Sequence, residues 1–197
     1  MKELINCSGV IVDYVSIPSF KLNEGEYLTF EIPFNYDSSS EELLIDVLRG
    51  NIIIDGFKGN SEFEFVEDIV VKRGLFSWCK NYTSFKYLNR NTDFKMDEID
   101  ETLKKLNISK SDRIWKLGFN ERKSLSFEIA RSKSKLVIIN TMGMDYTGLQ
   151  ILRYRFGNYL NRGFTIIELN YRTNKGFDSF EDSKIIRLVS VGDNKKT

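Results

Sequence analysis

Histidine is absent from all 197 residues. This excludes every mechanism that needs an imidazole, the commonest acid-base catalyst near neutral pH, and the histidine-ligated zinc sites with it. Cysteine is scarce: Cys7 and Cys79 have no paired metal-ligand spacing, and no signal peptide precedes them. Buried thiols in a reducing cytosol are expected, not a disulfide scaffold. No Gly-Lys-Ser or Gly-Lys-Thr occurs, so the usual phosphate-wrapping loop is missing. The longest apolar runs, such as 52–54 and 136–139, fall far short of the roughly 20 residues that span a bilayer. Membrane contact is therefore expected to be peripheral. An excess of one charge is lacking too: 29 basic and 28 acidic residues leave a formal net charge of +1, and no overall field steers the chain to nucleic acid or an anionic membrane. Arg131, Lys133 and Lys135 form a small basic cluster that reads as a solvated face, so nucleic acid is not an expected partner.

What is present suits an α/β fold. A hydrophobic share of 41% can fill one substantial core, and no repeat, low-complexity tract or linker divides residues 1–197. Residues 19–34, SFKLNEGEYLTFEIPF, alternate around Gly25 and predict two strands joined by a tight turn. The capping cluster NYDSSS then leads into EELLIDVL, with Leu43, Leu44, Val47 and Leu48 on one helical face. NIIIDG (51–56) predicts a short strand with an Asp-Gly turn, and SEFEFVEDIVV a further extended segment. DFKMDEIDETLKKL places Met96, Ile99, Leu103 and Leu106 at helical spacing behind Asp93 as N-cap. Another helix is expected from Asn120 to about Ser132. Leu136–Ile139 reads as a buried strand, Leu149, Leu152, Phe156 and Leu160 as a helix that Gly163 ends, and FTIIEL as the next strand, a parallel crossover unit. KIIRLVSV is expected to close the sheet.

Several phrases in this order resemble the ATP-binding domain of ABC transporters. SFKLNEGE (19–26) is similar to the family's opening hairpin, IIIDG (52–56) to the strand after its first helix, and NYTSFKYL (81–88) to the phrase that begins its helical subdomain. ARSKSKLVII (130–139) resembles the run into Walker B, GMD (143–145) the D-loop, and NRGFTIIEL (161–169) the strand before the switch histidine. The resemblance implies one ABC-ATPase-like α/β domain over 1–197. It would have a parallel core sheet with helices, a small antiparallel β subdomain, and a helical subdomain at about 81–132.

At each place where the family carries its chemistry, this chain departs from it. PFNYDSSSEE stands in for the Walker A loop: Ser38 replaces the lysine, and Ser39 and Ser40 keep hydroxyls at the magnesium position. A shift of one or two residues puts Ser40 or Glu41 there instead. Asp37 and the glutamates repel a triphosphate, and the serines and acids also suit plain helix capping. Asn140 and Thr141 replace the Walker B carboxylates; losing a general base typically costs 10²–10⁴-fold, roughly 3–5 kcal/mol of barrier. Asn140 also reads as a strand-end hydrogen bonder, and Asp145 as a D-loop residue or the cap of the next helix. Phe119, Asn120, Glu121 and Arg122 fill the signature position, where bulk blocks the backbone approach that glycines allow. The switch position falls near Tyr171 and the Q-loop near Gly74, while the single glutamine is Gln150.

The resemblance with these losses implies a pseudo-ATPase subunit, with no cofactor expected, on the cytoplasmic side and peripheral at the inner face of the plasma membrane. It would act by binding a permease, an active ATPase protomer, or both, in a transport or immunity system, and a dimer is open. Phe76, Trp78, Tyr82, Phe85 and Tyr87 are the candidate contacts on the helical subdomain, since aromatics supply interface anchors, although core packing also explains them. The alternative is a weak or unconventional Mg-nucleotide ATPase using Ser39 or Ser40 and Asp145. A third reading is a soluble interaction protein of another α/β family.

Overall fold

Short strands with one covered face open the chain: β1 (Glu3–Cys7), β2 (Val10–Val12), β3 (Val15–Ile17) and β4 (Phe20–Asn23). The structure, a computed structural model, describes residues 2–33, 38–70, 82–171 and 184–190, with the backbone alone at Ser38 and Tyr171. β1 pairs antiparallel with β4 on one side and with β6 (Phe57–Lys58) on the other. β2 and β3 turn back on each other through Asp13 and Tyr14, with Asp13 at φ +56°, as a two-residue hairpin demands. β11 (Val189–Ser190) adds to the free side of β3.

Residues 19–34 form the expected two strands joined by a tight turn, but the strands do not pair with each other as the family's opening hairpin would. Gly25 makes the turn at φ +83°, but β4 pairs with β1 while β5 (Tyr27–Ile32) enters the core sheet. Five of the six residues of β5 are buried, and a strand buried on both faces needs parallel neighbours with helical cover. NIIIDG differs as well. Ile53 is 92% exposed, and regular pairing starts only with β6, after the Asp55-Gly56 turn. The sheet neighbour available there, β1, meets residues 57–58 and not the isoleucines.

The core sheet has five strands in the order β10 (Lys184–Arg187), β5, β9 (Thr165–Tyr171), β8 (Leu136–Asn140), β7 (Glu64–Phe65), and every pairing is parallel. α1 (Ser38–Leu48) follows β5 and buries Leu44, Ile45, Val47 and Leu48. On this side the sheet contributes Leu28, Phe30, Ile32, Ile138, Ile167 and Leu169 to one cluster shared with α1 and the N-terminal strands. Its other face gives Val137, Ile139 and Ile166 to a cluster with Phe127 of α4 (Phe119–Lys133) and Leu152 and Phe156 of α5 (Tyr146–Leu160). β8, α5 and β9 form the expected crossover.

α2 (Ser84–Asn91), α3 (Met96–Lys105), a 3₁₀ turn at Ile114–Lys116 and α4 enclose a third cluster around Leu88, Ile99, Leu103, Ile114 and Leu125. The cap of α3 is Lys95, not Asp93, because this places Glu98 at the third helical position, where its carboxylate accepts the Lys95 backbone N–H at 2.8 Å. Met96 accordingly lies outside the buried stripe at 65% exposure. Cys7 is buried, which pushes its thiol pKa up; Cys79 lies outside the described residues. Among the described residues no helix is long and apolar enough to cross a membrane.

Candidate functional site

In open α/β sheets the ligand crevice lies beyond the carboxyl ends of the strands. Here that edge collects the start of α1, the end of β8 and the end of β9. At the tip of β8 the Asn140 amide donates to Glu41 Oε1 of α1 at 2.5 Å, and its Oδ1 accepts the Met142 backbone N–H at 2.7 Å. The strand-end residue thus ties the strand to the first turn of α1. Ser40, 2% exposed, faces away from this tie: its hydroxyl donates to Asp13 Oδ2 at 2.8 Å and lies 3.1 Å from the Tyr14 hydroxyl, in the β2–β3 turn. Ser39 is exposed on α1, the side chain of Ser38 lies outside the described residues, and so do residues 34–37. From Phe34 to Leu48, around the start of α1, the sequence has no basic residue and four carboxylates, which disfavours a polyphosphate there. Among the described residues no three or more histidine, cysteine, aspartate or glutamate side chains converge to hold a metal ion.

The carboxylate that β8 lacks occurs one strand over, inside the protein. Glu168 of β9 stands opposite Ile139 and is fully buried. Thr141 Oγ1 donates to its Oε1 at 2.8 Å, Arg153 of α5 donates through Nη2 at 2.8 Å and Nε at 3.1 Å, and the Tyr27 hydroxyl bonds its Oε2. Arg153 is itself 2% exposed. Burial opposes the arginine charge, but the attraction and hydrogen bonds of Glu168 outweigh it and its pKa is raised. Burial, and then the Glu168 charge, drive the Tyr27 phenol well above its usual range. Glu168 is therefore part of the wall of the crevice, charge-paired and out of reach of solvent. Sequence reasoning missed Glu168 and Arg153. Their only signal is a charge set within each of two apolar patterns, TIIEL and the buried stripe of α5.

The rim beside β8 is built from the α4 and α5 starts. Asp145 caps α5, its Oδ1 accepting the Gly148 N–H at 2.8 Å and its Oδ2 the Asn120 amide at 2.7 Å. The Gly148 bond first, then Asn120, lowers the Asp145 pKa. Gly148 leaves room for this contact, since a Cβ there would fall 2.3 Å from the Asn120 side chain and displace its amide. Glu121 closes the start of α4 by accepting the Gly118 N–H at 2.7 Å. Phe119, Met142 and Tyr146 stand exposed around this rim.

No family model and no curated protein matches the sequence. Solved structures do. CbiO1 of Clostridium perfringens, part of the ABC transporter complex CbiONQ, superposes with a TM-score of 0.61 at 12% identity over 96% of this chain and 88% of that one. A nucleotide-free ATP-binding cassette of an ABC transporter gives 0.63 at 12% identity over 95% and 90%. Another cassette, in its ADP conformation, gives 0.62 at 13% over 88% and 83%. The fold is that of an ABC-transporter ATP-binding cassette.

On this cassette fold Asn140, Thr141, Asn120 and Asp145 gather at one rim, and Glu121 caps α4. Tyr171 ends β9, with its side chain outside the described residues. Gly74, Phe76 and Trp78 also lie outside them. Phe85 and Tyr87 are half-buried against the helical cluster, and Tyr82 is half-buried with the Arg90 guanidinium 5.4 Å from its ring centroid. Tyr87 keeps an outer edge: with Glu64, Glu67, Asp68, Asn91 and Lys133 it lines an acidic cleft of about 130 Å³ between β7 and the helical part of the fold. Lys133 is paired there with Glu64 at 2.7 Å.

Proposed function

We propose that this chain is a catalytically inactive ABC-cassette subunit that works by binding a membrane permease, an active ATPase protomer, or both. The observation that carries this reading is the Asn140–Glu41 hydrogen bond. Where a hydrolase needs a free carboxylate at the strand tip and a cation on the helix start, an amide is spent on holding a carboxylate. The buried Glu168–Arg153 pair supports the same view, since a general base must reach the proton it abstracts. No nucleotide cofactor is needed for such a role, and the place of action is the inner face of the membrane.

Two surfaces suit the binding role. The exposed Phe119, Met142 and Tyr146 lie on the rim that, by resemblance, would face a second cassette. The acidic cleft at Tyr87 lies where the helical part would meet a permease; CbiO1, part of the ABC transporter complex CbiONQ, gives a precedent for assembly into such a complex. The test is affinity capture of the full chain from membranes co-expressing a candidate ABC permease and an active cassette ATPase. Co-purification with either is expected, weakened several-fold by Tyr87→Ala for the permease and by Met142→Glu for the ATPase. Recovery of the chain alone, from membranes containing both candidates, would refute the reading.

A further inference from the structure

Away from the crevice, a second fully buried carboxylate, Glu128 of α4, is shared by two guanidinium groups. Arg131 bonds it from the same helix, Arg155 Nη2 of α5 bonds it at 2.6 Å, and the Tyr159 hydroxyl donates at 3.1 Å. One carboxylate cannot neutralise two arginines, and both side chains are largely covered, at 14% and 11% exposure. Arg155 Nη1 is buried without a hydrogen-bond partner. An unmade bond of this kind carries a full desolvation penalty. Arg131 is held between the rings of Phe94 and Tyr159, 4.9 and 4.7 Å from their centroids. Arg162 lies 5.7 Å from the Tyr159 centroid and has no carboxylate partner among the described residues.

These groups wall a pocket of about 120 Å³ where α3, α4 and α5 meet. Four cations, Lys105, Arg131, Arg155 and Arg162, face three carboxylates, Glu98, Glu101 and Glu128. Glu101 is paired with Lys105 at 2.7 Å, while Glu98 accepts only the neutral Lys95 N–H at 2.8 Å and keeps its charge, so the pocket carries one surplus positive charge, supplied by its guanidinium groups. Guanidinium matches tetrahedral and planar oxyanions with paired donors, and the volume is well under the roughly 300–1,000 Å³ of sites for drug-sized ligands. We propose that this pocket binds a phosphate group, held by Arg162 and by Arg155 turned inward so that Nη1 gains its missing acceptor. The bound anion would join the helical part to α5 of the core.

The experiment is titration of the full chain by calorimetry and thermal melting. Inorganic phosphate and glycerol 3-phosphate serve as probes, with sodium chloride at matched ionic strength as the control. Saturable binding and a rise in melting temperature are expected with phosphate and not with chloride. Tighter binding of glycerol 3-phosphate would identify an organic monoester as the source; equal or tighter binding of inorganic phosphate would identify the free ion. Arg162→Gln, a surface change, should leave the unliganded melting temperature unchanged and weaken binding tenfold or more. Arg155→Lys, which keeps a charge beside Glu128, should weaken it similarly. No saturable signal from either probe, or unchanged affinity in Arg162→Gln, would overturn the proposal.

Discussion

Glu168 and Arg153 are the two residues whose removal should be felt most. A buried pair that loses one member leaves a bare charge in the core, so Glu168→Gln or Arg153→Met should cost about 3–5 kcal/mol in urea unfolding. The double change Glu168→Leu with Arg153→Met should recover much of that, because desolvation of two charges is avoided. A double variant as unstable as the summed singles would show that the pair is worth more than its burial costs. Two tyrosines set the alkaline limit. Burial first, then Glu128, pushes Tyr159 up to about 12, and Tyr27 is raised by burial and Glu168. Both phenols hold their protons more tightly folded than unfolded, so this stability is complete below the ordinary value of 10 and is lost as pH climbs toward the folded values. Unfolding free energy measured against pH should be level through neutrality and fall above pH 10, less steeply in Tyr159→Phe. Asn140 as a strand-end hydrogen bonder and Asp145 as a helix cap were legible because strand ends and helix caps have local chemical signatures. Glu168 was not, because its partners come from α5, β5 and the residue after β8, far apart in the chain.

At the scale of elements, periodicity succeeded wherever one element owned its hydrophobic face. α5, β8 and β9 follow the expected spacing, and Ile99 and Leu103 fill the inner face of α3. Leu103→Ala should therefore destabilise the chain by about 2–5 kcal/mol in denaturant melts. An exposed neighbour such as Met96→Ala should be nearly silent. Equal costs for the two would contradict the placement of the α3 stripe. Reading failed where pairing was decided by a distant partner. β4 and β5 look like a hairpin, yet one is claimed by β1 and the other by β9. Ile52 and Ile53 look like a strand, yet the segment has no sheet edge beside it and Ile53 remains in solvent.

Across the whole molecule, the parallel sheet, the small antiparallel sheets and the helices were readable from element order, and the superpositions agree with that fold at 12–13% identity. At such identity the shared property is the fold, and the chemistry must be read from this chain's own residues. They place an amide–carboxylate hydrogen bond at the strand tip, a neutralised glutamate within the wall and carboxylates without basic neighbours in sequence around the start of α1. The measurement that tests this most directly is calorimetric titration of the full chain with ATP and magnesium. No saturable heat at physiological nucleotide concentration is predicted. Binding at micromolar affinity that disappears in a Ser39→Ala, Ser40→Ala double variant would contradict the account and favour a working nucleotide site.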